Sequence, residues 1–170
     1  IYSLDIEVAH EDSFPDISEA NFPVVLATIY EGYDREKSVT FGEKEFTGEL
    51  PKGSVYLQCE DESELIRKLF AYMHKFPCDV LTGWNIYNFD LPYLINRSKR
   101  LFGDESKIYA QMSPINIVRT WEAKEGGRNQ ELNVDIAGVT ILDYYDIYRW
   151  YGPNLESYSL DYVAHHELGV

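Results

Sequence analysis

The apolar residues of this chain change period along its length, and that change limits the fold more than any single motif does. At the start, Leu4, Ile6 and Val8 alternate with Ser3, Asp5 and Glu7. A strand here carries aliphatics on one face and two carboxylates on the other. "VVLATIYEG" and "KSVTFG" read as a second and third strand joined by a turn, and "SVYLQC" as a short fourth. Then the period lengthens. Asp61-Glu62-Ser63-Glu64 is a helix start, and Leu65, Ile66, Leu69, Phe70, Met73 and Phe76 follow at helical spacing. "CDVLTGW" is a buried-looking strand, "NIYNFD" a polar connector, and "LPYLINRSKRLF" a helix with Pro92 in its first turn. "INIVRTWEAKEGGRNQELNVDIAG" is a long hairpin turning at Gly126-Gly127-Arg128-Asn129. "VTILD" runs from strand into helix, and "ESYSLDYVAHHELG" is a helix stopped by Gly169. Hairpins first and strand–helix alternation second predict an α/β fold, a mixed sheet flanked by helices in three layers, with a protruding β-hairpin.

At 170 residues and 45% hydrophobic, the chain is read as one domain, residues 1–170, with a substantial core. The net charge of -14 excludes a basic DNA-gripping surface across the whole domain. It leaves room for a nucleic-acid enzyme whose acids hold metal ions and whose strand grip is local or lies on another domain. Cys59 and Cys78 lack metal-ligand spacing and read as reduced intracellular thiols. The longest apolar run, Val24-Val25-Leu26-Ala27, is too short to cross a bilayer, so no membrane partner is expected. The chain starts inside a strand without Met, which reads as an excised domain.

Alone, Asp5 and Glu7 are the solvent face of an ordinary strand. In "TGWNIYNFDLPYL", however, Asn85, Asn88 and Asp90 crowd a strand-to-helix junction, where α/β sheets collect their sites. Asp90 as a helix cap and the two Asn as turn formers is one account. The other joins Asp90 to Asp5 and Glu7. Carboxylates from separate elements hold hard divalent cations, and two such ions ~4 Å apart hydrolyse phosphodiesters. Like charges are costly together without a cation, which gives a reason for their company.

At these residues the sequence resembles the 3′→5′ proofreading exonuclease domain of family B DNA polymerases. "SLDIEV" looks like its first motif and "NIYNFD" like its second. The longer "LTGWNIYNFDLPYLINR", "TILDYYDIY" and "SYSLDYVAHHELGV" are similar to polymerases of T-even-like bacteriophages. The resemblance implies an RNase H-like fold, two Mg²⁺ or Mn²⁺ ions, and removal of the 3′-terminal nucleotide of single-stranded DNA. Asp5, Glu7 and Asp90 match three of the family's four metal-binding carboxylates. The partners implied are the single-stranded 3′ end and the polymerase domains of a parent chain. The setting is cytoplasmic, in the host if the chain is phage-encoded. The hairpin sits where phage relatives separate primer from template, with Arg128 near its tip. Phe14 is a candidate to stack on a terminal base, against the reading of a loop aromatic anchored on the core. Asn85 is a candidate to position the strand, against simple turn formation.

The family's third motif, Tyr-x-x-x-Asp on a later helix, is not matched. Tyr30-Glu31-Gly32-Tyr33-Asp34 has the spacing but precedes the second motif. Tyr158-Ser159-Leu160-Asp161 is one residue short, and His74 through Asp79 lies too early. Asp143, at a strand-to-helix junction, is the remaining acid that could approach the cluster, and the resemblance implies a supporting position for it. The expectation is a domain truncated before its last ligand, with activity weakened accordingly. The rival is a non-catalytic RNase H-like module that binds single strands or braces a larger polymerase. A Ca²⁺-binding module is disfavoured, because no EF-hand-like loop is present.

Overall fold

A computed structural model describes residues 1–9, 14–32, 37–122 and 132–169. Among these residues, eight strands and four α-helices follow in the order β1 (Tyr2–Val8), β2 (Val24–Glu31), β3 (Lys37–Gly42), β4 (Ser54–Gln58), α1 (Glu62–Lys75), β5 (Val80–Gly83), α2 (Asp90–Phe102), β6 (Val118–Glu122), β7 (Leu132–Ile136), β8 (Thr140–Asp143), α3 (Tyr144–Tyr151) and α4 (Leu160–Leu168). Two short 3₁₀ turns, Asp104–Ser106 and Ile108–Met112, link α2 to β6.

The main sheet has six strands in the order β4-β3-β2-β1-β5-β8. β2 is antiparallel to both β1 and β3, and the β1–β5, β5–β8 and β3–β4 pairs are parallel. This is the expected α/β, RNase H-like sheet, with β1 at its centre. β6 and β7 form a separate antiparallel ladder from Val118↔Ile136 to Glu122↔Leu132, so the arms of the predicted hairpin pair as expected. Its turn, with Arg128, lies outside the described residues.

Local chemistry explains the helix ends. Asp61 caps α1 by accepting the Glu64 N–H at 2.8 Å, and Glu64 reaches back to the Glu60 N–H at 2.7 Å. Leu65, Ile66, Leu69, Phe70 and Met73 form the buried face of α1, as their spacing predicts, whereas Phe76 lies past the last turn as the C-cap residue and is exposed. α4 begins at Leu160, capped by Ser159, and is shorter than the sequence pattern suggested because 152–159 holds no helix. Gly169 ends α4 in the left-handed conformation at φ +68°. The core runs through Leu4 and Ile6 of β1, Ala27 and Ile29 of β2, the apolar face of α1, and Leu91, Leu94 and Ile95 of α2. No helix among the described residues is long and apolar enough to cross a membrane.

Candidate active site

The site forms where β1 outruns its neighbour. Parallel pairing of β1 with β5 covers only Tyr2↔Leu81 and Ser3↔Thr82, after which β5 ends at Gly83. A Cβ at Gly83 would lie 2.6 Å from the Leu4 carbonyl oxygen, so this close departure from the sheet admits only glycine. The next β1 amide on that edge, Ile6 N–H, donates instead to Asp90 Oδ1 at 3.1 Å. A carboxylate thus continues the ladder that β5 abandons. On the other edge the β1–β2 register shifts between Glu7 and Val8, a bulge at the strand's acidic end.

Asp90 is 4% exposed. Burial foremost, then the charge of Asp5, push its carboxyl up from an ordinary 3.8 to about 7, against the steadying Ile6 N–H and its own amide. Asp5 lies on the open face of β1, but its carboxyl is also raised, first by desolvation and then by Glu7. Glu7 is exposed on the same face. Asp5 therefore stands electrostatically between Glu7 and Asp90, with no cation among the causes acting on either of the shifted acids. The alternative of Asp90 as a helix cap does not hold: Phe89 is the N-cap residue of α2, without a side-chain capping bond, and the Asp90 carboxylate turns to β1.

Oxygen donors crowded without a counter-charge suit a hard divalent ion. The fit is partial. Among the described residues no group of three or more His, Cys, Asp or Glu side chains is gathered closely enough to hold a metal ion. Asp5 and Asp90 are brought together, with Glu7 beside Asp5.

The other candidates lie around this pair. Asn85 adopts φ +65°, its N–H donates to Asp143 Oδ1 at 2.9 Å, and its side-chain oxygen accepts from Asn88 Nδ2 at 2.7 Å. Its carbonyl accepts the Asn88 and Phe89 amides. These contacts are those of a turn former. Phe14 is 73% exposed rather than anchored in the core, and its ring packs 5.2 Å from Phe89, the residue before Asp90. Asp161 is exposed, as expected for a helix surface residue.

Asp143, expected as a supporting acid, supports through backbone bonds whose partners the sequence did not disclose. It is 3% exposed and accepts N–H bonds from Asn85, Tyr87 and Tyr145 at 2.9, 3.0 and 2.9 Å. Burial raises its carboxyl, and the three amides oppose the rise. It pins the 84–89 turn to the end of β8 and caps α3. The strand-into-helix "TILDYY" indicates the cap alone, and the bonds from Asn85 and Tyr87 have no local signal.

An RNase H-like sheet with acids at the free end of its central strand defines a domain of the nuclease class. Comparison with known proteins narrows it: the model of the DNA polymerase family B exonuclease domain matches residues 1–163. The chain belongs to this exonuclease domain family. It is similar to the DNA-directed DNA polymerase of Escherichia phage RB69, 29% identical over 194 residues, covering 100% of this chain and 21% of the relative. The enzyme of Enterobacteria phage T4 is 30% identical over 191 residues, covering 98% and 21%. The DNA polymerase delta catalytic subunit of Caenorhabditis elegans is 33% identical over 120 residues, 68% of this chain and 11% of that protein. The chain thus spans about a fifth of the length of the phage relatives it matches.

Proposed function

We propose that this domain removes the 3′-terminal nucleotide of single-stranded DNA by hydrolysis, proofreading for a family B DNA polymerase of which it is one part. The observation that carries the reading is the Asp5–Asp90 pair at the uncovered end of β1, in a chain whose family is that of polymerase exonucleases. Asp5, Glu7 and Asp90 would hold divalent cation, Mg²⁺ or Mn²⁺, two ions in a complete site. Such ions supply Lewis acidity to the phosphoryl oxygens and charge balance to the acids. The chain's own residues do the rest. Ile6 N–H holds Asp90 Oδ1 toward β1, Asp143 fixes the turn from which α2 departs, and Asp5 presents its carboxyl on the open face. Phe14 offers an exposed ring beside Asp90 for the sequence-tolerant stacking that holds single strands.

We place residues 1–170 in a single domain whose acid set is completed by a further carboxylate, that of the Tyr-x-x-x-Asp motif. The polymerase part of the parent chain, and the cytoplasm of a host cell, are the proposed partner and setting. The second reading, a non-catalytic strand-binding module, draws on the absence of a three-ligand cluster among the described residues. A full-length chain with 5′-labelled single-stranded DNA and Mg²⁺ separates the two. A ladder shortened from the 3′ end that Asp5→Ala abolishes supports the exonuclease. An intact substrate with the wild-type chain supports the module.

A further inference from the structure

One face of α2 grips the loop that follows β1. The Tyr93 hydroxyl donates to the Phe22 carbonyl at 2.8 Å and accepts the Phe22 N–H at 3.2 Å. Asn96 Nδ2 donates to the Ile17 carbonyl at 2.9 Å, and Arg100 Nη1 to that of Glu19 at 3.3 Å. Arg97 Nη1 donates to the Ala20 carbonyl at 3.0 Å, while its Nε and Nη2 meet the Glu62 carboxylate at 2.8 and 2.6 Å. Residues 93, 96, 97 and 100 share a helix face.

These bonds exceed what an apolar helix face needs in order to pack. The Glu62–Arg97 pair is buried, and such a pair gains little over a hydrophobic one once desolvation is counted. Its yield is geometric. The guanidinium ties α1 to the Ala20 carbonyl, and Glu62 also accepts the N–H of Val24, where β2 begins, at 2.7 Å. Ala20 is held at φ +41°, fully buried, a conformation unfavourable for any residue with a Cβ. The near end of the same loop carries Phe14. Its ring meets Phe89 at 5.2 Å, and Phe89 stacks on Tyr93 at 5.5 Å. Tyr93 therefore touches both halves of the arrangement: its hydroxyl fixes the loop backbone and its ring supports the aromatic pair beside Asp90.

We propose that Tyr93, with the α2 face around it, is the positioning residue that holds Phe14 and Phe89 as a fixed aromatic platform for the 3′-terminal base. This rests on the reading of the domain as a 3′ exonuclease. The test uses the full-length chain and a single-stranded oligonucleotide with 2-aminopurine at its 3′ terminus. Fluorescence in EDTA reports stacking without cleavage, and hydrolysis in Mg²⁺ reports the half-saturating DNA concentration and the maximal rate. Tyr93→Phe keeps the ring and removes the hydroxyl. It is expected to raise the half-saturating concentration about fivefold, with the maximal rate within about twofold, and to weaken the quenching. Phe14→Ala shifts the same quantities, and the double variant is no worse than Phe14→Ala alone. Asn96→Ala, which loses only the Ile17 bond, gives a smaller shift of the same kind and replaces Tyr93→Phe if that variant is unfolded.

Multiplying effects of Tyr93→Phe and Phe14→Ala overturn the proposal. So does wild-type quenching in both loop-face variants while Phe14→Ala loses it, and that result leaves the exonuclease reading intact. Failure of that reading shows differently, as no 3′ hydrolysis by the wild type, and the fluorescence in EDTA still scores Tyr93.

Discussion

Asp90 and Asp143 are near twins in position and opposites in their surroundings. Each sits where a strand of the main sheet gives way to a helix, and each is almost completely buried. Asp143 is answered by three backbone amides from two segments. Asp90 is answered from another element by the Ile6 amide, and it faces Asp5. Burial raises both carboxyls, that of Asp90 to about 7 with the charge of Asp5 adding to the rise, while at Asp143 three amides oppose it. A third buried acid, Glu62, is matched by Arg97. Depth alone therefore does not mark a working carboxylate. What separates the three is whether the protein itself supplies the compensating charge or dipoles, and at Asp90 that compensation is left for something else to bring.

The sharpest break between the twins is in activity. Asp5→Ala or Asp90→Asn is expected to lower 3′ hydrolysis by about 10³-fold or more in the full-length chain, since each removes charge from the crowded pair. Asp143→Asn, which retains an acceptor oxygen, is expected to leave most of the rate when assayed below its melting temperature. Single-turnover rates on single-stranded DNA make the comparison. Equal losses at 90 and 143 erase the distinction.

A pH series in EDTA tests the same contrast by stability. The folded state holds the Asp90 proton more tightly than the unfolded chain does, so its contribution is complete below about pH 4. It is lost as pH rises through about 7. Asp90→Asn keeps the acceptor for Ile6 N–H and removes the charge. It should therefore stabilise the metal-free protein at pH 8, by up to about 4 kcal/mol, and do little at pH 4. Melting curves at the two values decide it, and added Mg²⁺ should reverse the order at pH 8. A gain that does not depend on pH means that Asp90 is not charged against the fold.

Asp143→Ala acts the other way. Three amides lose their acceptor, so the variant should lose about 3 kcal/mol and melt below the wild type. Urea midpoints measure this, and a loss below 1 kcal/mol means that water replaces the carboxylate.

The contrast between the twins also marks what the sequence made legible. The succession of strands and helices, the α1 face and the hairpin arms rest on local period and junction chemistry, which a single sequence carries, whereas the company of Asp5 with Asp90 was implied by the family resemblance. The three bonds of Asp143 span 2, 56 and 58 residues, and the two long ones have no local signature. The α2 grip on the loop is equally remote, with separations of 71 to 81 residues from Tyr93, Asn96, Arg97 and Arg100. A loop aromatic is more often anchored on the core than exposed, yet Phe14 is exposed. Its ring contact is with Phe89, half-buried and next to Asp90, a pairing 75 residues apart with no local signature.

The smallest expected effect separates two roles for Asn85, the residue that Asp143 holds by its amide. A turn former at φ +65° is replaceable by glycine, which takes that conformation without a Cβ conflict. Asn85→Gly loses only the 2.7 Å bond from Asn88 and gains in backbone ease, so stability should move by less than about 0.5 kcal/mol. Asn85→Ala keeps the strain and loses the bond, and should cost about 1 kcal/mol. If Asn85 only forms the turn, the glycine variant binds single-stranded DNA as the wild type does. If its amide also contacts the strand, Asn85→Gly and Asn85→Ala raise the half-saturating DNA concentration equally despite their different stabilities. Comparing the two variants therefore isolates the side chain from the turn, which neither substitution does alone.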